Sequence, residues 1–116
     1  MSDLNLRYNK GKYRRSLDIV RDILTIATLS VKKTHIMYQA NLSYLLVNKY
    51  INQLLTRDLL RLDGGSCYLI TKRGMEFLKL HDDYVRRCTD IKYQIDQAKK
   101  DRRRLEKICF GKECER

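Results

Sequence analysis

The chain has 116 residues, no proline, a formal net charge of +11 and a pI near 9.7. That length holds one small domain and one extended element, and the cationic excess points to a polyanion, nucleic acid before an anionic membrane surface. No apolar run approaches the roughly 18 residues of a membrane span, and the polar start lacks the apolar segment of a signal peptide, so the expected location is intracellular or virion-borne.

Residues 1–15 carry a net +4, residues 16–71 +2, residues 72–109 +5 and residues 110–116 zero. The first of these segments has no helical period and reads as a basic arm, with Arg14 and Arg15 as phosphate contacts. Ser16 as N-cap and Asp18 in the first turn open a helix with Leu17, Val20, Ile23, Leu24 and Ala27 at helical spacing, ending near Thr28 to Ser30. Lys32 and Lys33 fall in the connection and are further phosphate candidates. Thr34 caps a short second helix that buries Ile36, Met37 and Ala40. Asn41, Leu42 and Ser43 form a break, because their short polar side chains compete for local backbone groups. Ser43 then caps a third helix, Tyr44 to about Arg57, with Val47, Ile51, Leu54 and Leu55 inward.

Two short apolar runs follow, 59–62 and 67–71, around Asp63-Gly64-Gly65-Ser66, a strong hairpin signal. Thr71 caps the last helix, which runs to about Cys109 before Gly111 stops it. Along that helix Phe77, His81, Tyr84, Cys88, Ile91, Ile95, Ala98, Arg102, Leu105 and Cys109 recur in unbroken steps of four and three. A heptad stripe flanked by charge must be covered by another helix. No second heptad segment exists in the chain, so a second copy is the expected cover. Arg102 on the seam sets the direction. A parallel pair opposes it to its own copy, whereas an antiparallel pair centred near Tyr93 sets it against the ring of Tyr84. A helix over 72–109 is about 57 Å long, so antiparallel heads lie too far apart for half-sites one DNA turn apart, and the alternatives are sites about two turns apart or two separate duplexes.

Helix, short helix, tight turn, helix and hairpin make a winged helix-turn-helix, mainly α with a small β component. Its third helix enters the major groove and the hairpin rides the backbone. Tyr44, Asn48, Lys49 and Asn52 are the expected outward positions, with Arg61 on the wing. Asparagine suits an adenine edge and lysine suits guanine or phosphate, while Ser43 and the first helical N–H groups suit a phosphate. The more ordinary readings are packing of Tyr44 on the wing and solvated surface for Asn48 and Asn52. Of the four cysteines, Cys67 reads as a small buried residue. Cys109 and Cys114 form either a loop disulfide or two free thiols, and no second local pair completes a zinc site. There is no phosphate loop and no nucleophile with its base, so neither an enzyme, a cofactor nor a small-molecule substrate is expected.

Ile36-Met37-Tyr38, Ala40-Asn41-Leu42-Ser43-Tyr44, Tyr50-Ile51, and Ile70-Thr71 through Gly74 to Phe77-Leu78 carry a family resemblance. Over residues 16–109 the chain resembles the small archaeal winged-helix DNA-binding chromatin proteins of Sulfolobales. The resemblance implies a long C-terminal helix paired as an antiparallel coiled coil, double-stranded DNA binding with little sequence preference, and an architectural role. The basic arm, the seam cysteines and the cysteine-containing tail depart from it. The expected organisation is therefore a basic arm at 1–15, a winged helix at 16–71, a dimerisation helix at 72–109 and a tail at 110–116. The rival readings are a site-specific regulator on the same fold and a protein-interaction module whose basic surface is incidental.

Overall fold

The structure, a computed structural model, describes residues 14–111. Most of the basic arm and all of the tail from residue 112, Cys114 included, lie outside the described residues. The elements are α1 (Ser16–Ile26), β1 (Val31–Lys32), α2 (Lys33–Gln39), α3 (Tyr44–Thr56), β2 (Leu60–Asp63), β3 (Cys67–Ile70) and α4 (Lys72–Phe110). Two compact units divide within α4, one up to Asp82 and one from Asp83.

In the first unit, α1 starts one position away from the expected cap. Arg15 is the N-cap, and its backbone N–H donates to the Asp18 carboxylate at 3.4 Å. Ser16, read as the cap, is instead the first helical residue, and its hydroxyl accepts a hydrogen bond from the buried Tyr50 at 3.2 Å. The helix ends at Ile26, earlier than expected, with Ala27 as C-cap. Ile23, Leu24 and Ala27 are fully buried with Ile36, Ala40, Leu42, Val47, Tyr50, Ile51, Leu54, Leu60 and Ile70 in one core. Each large aliphatic residue removed from water in this way contributes about 1.5–3 kcal/mol before chain entropy is counted.

The sheet is antiparallel in the order β1-β3-β2, with Val31 opposite Tyr68, and Leu60 opposite Ile70. β1 was read as a connection: two residues are too few to show a period of two. The hairpin turn uses Gly64 and Gly65 at φ +70° and +95°, a region that side chains avoid.

Between α2 and α3, Asn41 takes a left-handed φ of 56° and Leu42 drops into the core. The Leu42 N–H returns to the Met37 carbonyl at 3.0 Å, which satisfies one of the helix-end carbonyls. Ser43 caps α3 as expected, its Oγ accepting from the Leu46 N–H at 3.2 Å.

α4 begins on Thr71, whose Oγ1 accepts from the Gly74 N–H at 3.0 Å and donates to the Asp58 carbonyl at 2.7 Å. Its first turns belong to the winged helix. Phe77 and Leu78 pack against the core, the Phe77 and His81 rings stack with centroids 5.8 Å apart, and buried His81 places Nε2 3.6 Å from Asp18 Oδ1 on α1. Phe77 and His81, two positions of the expected seam, are thus already covered within this unit.

The second unit is the rest of α4. Ion pairs within the helix join Arg86 to Asp83, Lys92 to Asp96 and Arg102 to Glu106 at 3.1–3.2 Å. Arg102, expected over an aromatic ring, has this neighbour in the single chain. Cys88 is buried, whereas Tyr84, Ile91, Ile95, Ala98, Leu105 and Cys109 are exposed. Among the described residues no helix is long and apolar enough to cross a membrane.

Candidate nucleic-acid interface

α3 spends one face on the core through Val47, Tyr50, Ile51 and Leu54. The opposite stripe is therefore Leu45, Lys49, Asn52 and Thr56, spaced four, three and four residues apart and all exposed. Lys49 and Asn52 are where the sequence reading put them. Leu45 was missed, because a leucine beside a helix start is ordinarily counted as core. Its distance from Val47 around the helix was the signal that could have found it.

Tyr44 and Asn48 lie on the flank of this stripe, towards α2. Lys33, on α2, donates to Asn48 Oδ1 at 2.6 Å, and its ammonium stands 5.8 Å from the Tyr44 ring centroid. Tyr44 is thus neither packed on the wing nor idle: its ring and the Asn48 carbonyl together position a cation at the mouth of α3. Pairing with an adenine edge needs both the carbonyl oxygen and the amide N–H. Lys33 uses one lone pair of that oxygen, which leaves its second lone pair and the amide N–H groups for a further partner.

The other candidates fall into two groups. Lys32 on β1, Lys49 on α3 and Arg61 on β2 are exposed, Arg61 standing 3.9 Å from Asp63 on the same strand. Arg14 is turned inwards. Its guanidinium pairs with Asp22 of α1 at 2.6 Å and donates to the carbonyls of Ala40 and Asn41 at the end of α2. A helix C-terminus exposes unpaired carbonyls and partial negative charge, and a cation there satisfies both. Arg14 therefore staples α1 to the helix-turn-helix corner. Arg15 is half-buried at the start of α1. Ser43 Oγ is occupied in its cap. Among the described residues no group of three His, Cys, Asp or Glu side chains could hold a metal ion.

The profile of a winged helix-turn-helix family matches residues 13–89 of this chain, from the arm through the hairpin and into α4. The chain belongs to the winged helix-turn-helix family. Similar solved structures agree with the fold. Sso10a-2, described as a DNA-binding protein from Sulfolobus solfataricus, superposes with a TM-score of 0.57 at 23% identity, over 79% of this chain and 96% of that one. The MarR-family protein Rv2887 of Mycobacterium tuberculosis, in complex with DNA, superposes with a TM-score of 0.59 at 14% identity, over 92% and 86% of the two chains. A MarR/EmrR-family transcriptional regulator from Acinetobacter sp. ADP1 gives 0.52 at 15% identity, over 99% and 88%. A search of curated protein sequences finds no match for this winged helix-turn-helix chain.

Proposed function

We propose that this winged helix-turn-helix protein binds double-stranded DNA largely without regard to base sequence, as an architectural, nucleoid-associated homodimer rather than an enzyme. The observation that carries this reading is the outer stripe of α3. It is exposed along its length, it bears Lys49, and the exposed cations Lys32 and Arg61 stand on the elements that flank a recognition helix in this fold. Asn48 already shares its carbonyl oxygen with Lys33, and Asn52 is the one amide on the outer line. Affinity then comes chiefly from phosphate neutralisation, which carries no sequence code.

The dimer is proposed on the apolar line Ile91, Ile95, Ala98 and Leu105, which the single chain leaves exposed in the second unit. An antiparallel coiled coil covers it and keeps the two Arg102 side chains apart. A dimer carries two winged helices and can hold two duplexes. A site-specific regulator is the second reading, favoured by the likeness in fold to MarR-family proteins. A salt titration on random-sequence duplex and on selected sequences separates the two. Steep salt dependence with near-equal affinities supports the architectural role. A specificity ratio above about a thousand transfers the protein to the regulators, and no binding at any salt rejects both.

A further inference from the structure

Leu45 is an apolar residue that the core face of α3 does not use. It is 80% exposed, although α3 completes its core face without it. Single exposed leucines are common on protein surfaces. What distinguishes this one is its place. It lies in the first turn of the recognition helix, one turn before Lys49 on the same outward line, with Lys33 held beside Tyr44 and Asn48 on the flank. The first residues of a recognition helix are those that meet base edges. Cores of protein–protein interfaces are depleted in lysine, so an apolar side chain among lysines fits a polyanion better than a protein partner. In the major groove of DNA one base edge presents an apolar group, the C5-methyl of thymine.

We infer that Leu45 is a specificity-determining residue that packs on thymine methyl groups in the major groove and biases an otherwise sequence-tolerant protein towards A·T-rich duplex. The inference rests on the DNA-binding reading above. The contact needs no hydrogen bond and no fixed register, so it coexists with weak base discrimination elsewhere on α3. Lys49 and Lys33 hold the helix against the phosphates on either side, and Leu45 fills the groove between them. The neighbouring Leu46 is half as exposed and lies off the outward line.

The test compares two duplexes of identical A·T-rich sequence, one with thymine and one with deoxyuridine throughout, which differ only in the methyl. The full chain is titrated with each by fluorescence anisotropy at fixed salt. Wild type is expected to bind the deoxyuridine duplex about fourfold more weakly for each methyl in contact, the factor that corresponds to burial of one methylene-sized group. Leu45→Ala is expected to bind both duplexes alike, with an unchanged circular dichroism spectrum because the side chain is exposed. Lys49→Ala is expected to weaken both equally and to preserve their ratio. Equal wild-type affinities for the two duplexes, or a ratio that survives in Leu45→Ala, overturn the assignment while leaving DNA binding standing. Failure of wild type to bind either duplex removes the DNA-binding reading and this inference with it.

Discussion

Gly74 is the position where a helix-stabilising substitution should destabilise this protein. In an exposed helix, replacing glycine with alanine gains about 1 kcal/mol by restricting the unfolded chain. At Gly74 an added Cβ would lie 2.5 Å from the Leu59 carbonyl oxygen and 2.6 Å from Ile70 Cγ1. Neither neighbour is free to retreat. The Leu59 carbonyl accepts from the Thr71 N–H at 3.1 Å, and the preceding Asp58 is held at φ 63° with its own carbonyl bonded to Thr71 Oγ1. Ile70 is buried, and its N–H donates to the Ala27 carbonyl at 2.9 Å. Relief requires the first turn of α4 to lift from the start of the hairpin. Overpacking of this kind costs about 1–3 kcal/mol, and contact with backbone favours the upper half of that range. Against the helical gain, Gly74→Ala should lose about 1–2 kcal/mol net. Urea unfolding followed by circular dichroism at fixed protein concentration reads this as a midpoint lowered by about 0.5–1 M at a slope near 2 kcal/mol/M. A midpoint equal to or above wild type would refute the close-approach argument.

Four further outcomes rest on other contacts of the fold. Ser43→Ala removes the cap of α3 and should cost about 1 kcal/mol in the same unfolding assay, with Ser43→Asp restoring most of it. Arg14→Ala should lower stability by about 1–2 kcal/mol and leave DNA affinity nearly unchanged, because its guanidinium is spent on Asp22 and the end of α2. Lys49→Ala should do the reverse, with no change in unfolding midpoint and a salt slope reduced by about one; the same phenotype for both variants would place Arg14 at the interface after all. Ile91→Asp with Ile95→Asp should give a folded monomer by sedimentation, since both side chains are exposed in the single chain and like charges at a seam repel. A double variant that still sediments as a dimer excludes this stretch as the seam.

The elements were legible where a local signal exists. Ser43, Thr71 and the two glycines of the wing announce a cap, a cap and a turn through chemistry confined to a few residues, and each acts as read. What depends on tertiary neighbours was not legible. The heptad steps at Phe77 and His81 are real, yet periodicity states only that a face is apolar, not which surface covers it. Here α1 and the winged-helix core cover those two positions. Tyr50 is not in the expected inward set of α3, and its buried hydroxyl is satisfied by Ser16, thirty-four residues away. The site shows the same division. Lys49 and Asn52 follow from the period of α3 alone, whereas the inward turn of Arg14 and the capture of the Asn48 carbonyl by Lys33 arise from contacts between separate elements.

Net charge by itself overstates the binding footprint of such a chain. Cations shared out to the fold release no counterions when DNA binds. Arg14 holds the corner of the helix-turn-helix, and Arg86 and Arg102 lie beside carboxylates along α4. The face built by α2, α3, β1 and the wing presents Lys32, Lys33 and Lys49, and Arg61 beside Asp63. Four phosphate contacts, the upper count for this face, correspond to a slope of log K against log salt of about −3.6 for each winged helix. If the whole formal charge of +11 engaged phosphate, the slope would approach about −10. A slope measured on a duplex short enough to hold one winged helix therefore reports where the DNA lies. A value near the smaller figure confines it to α3 and the wing. A value well beyond it brings the cations of α4 or of the basic arm into contact, and removing Lys99 and Lys100 or residues 1–13 then shows which.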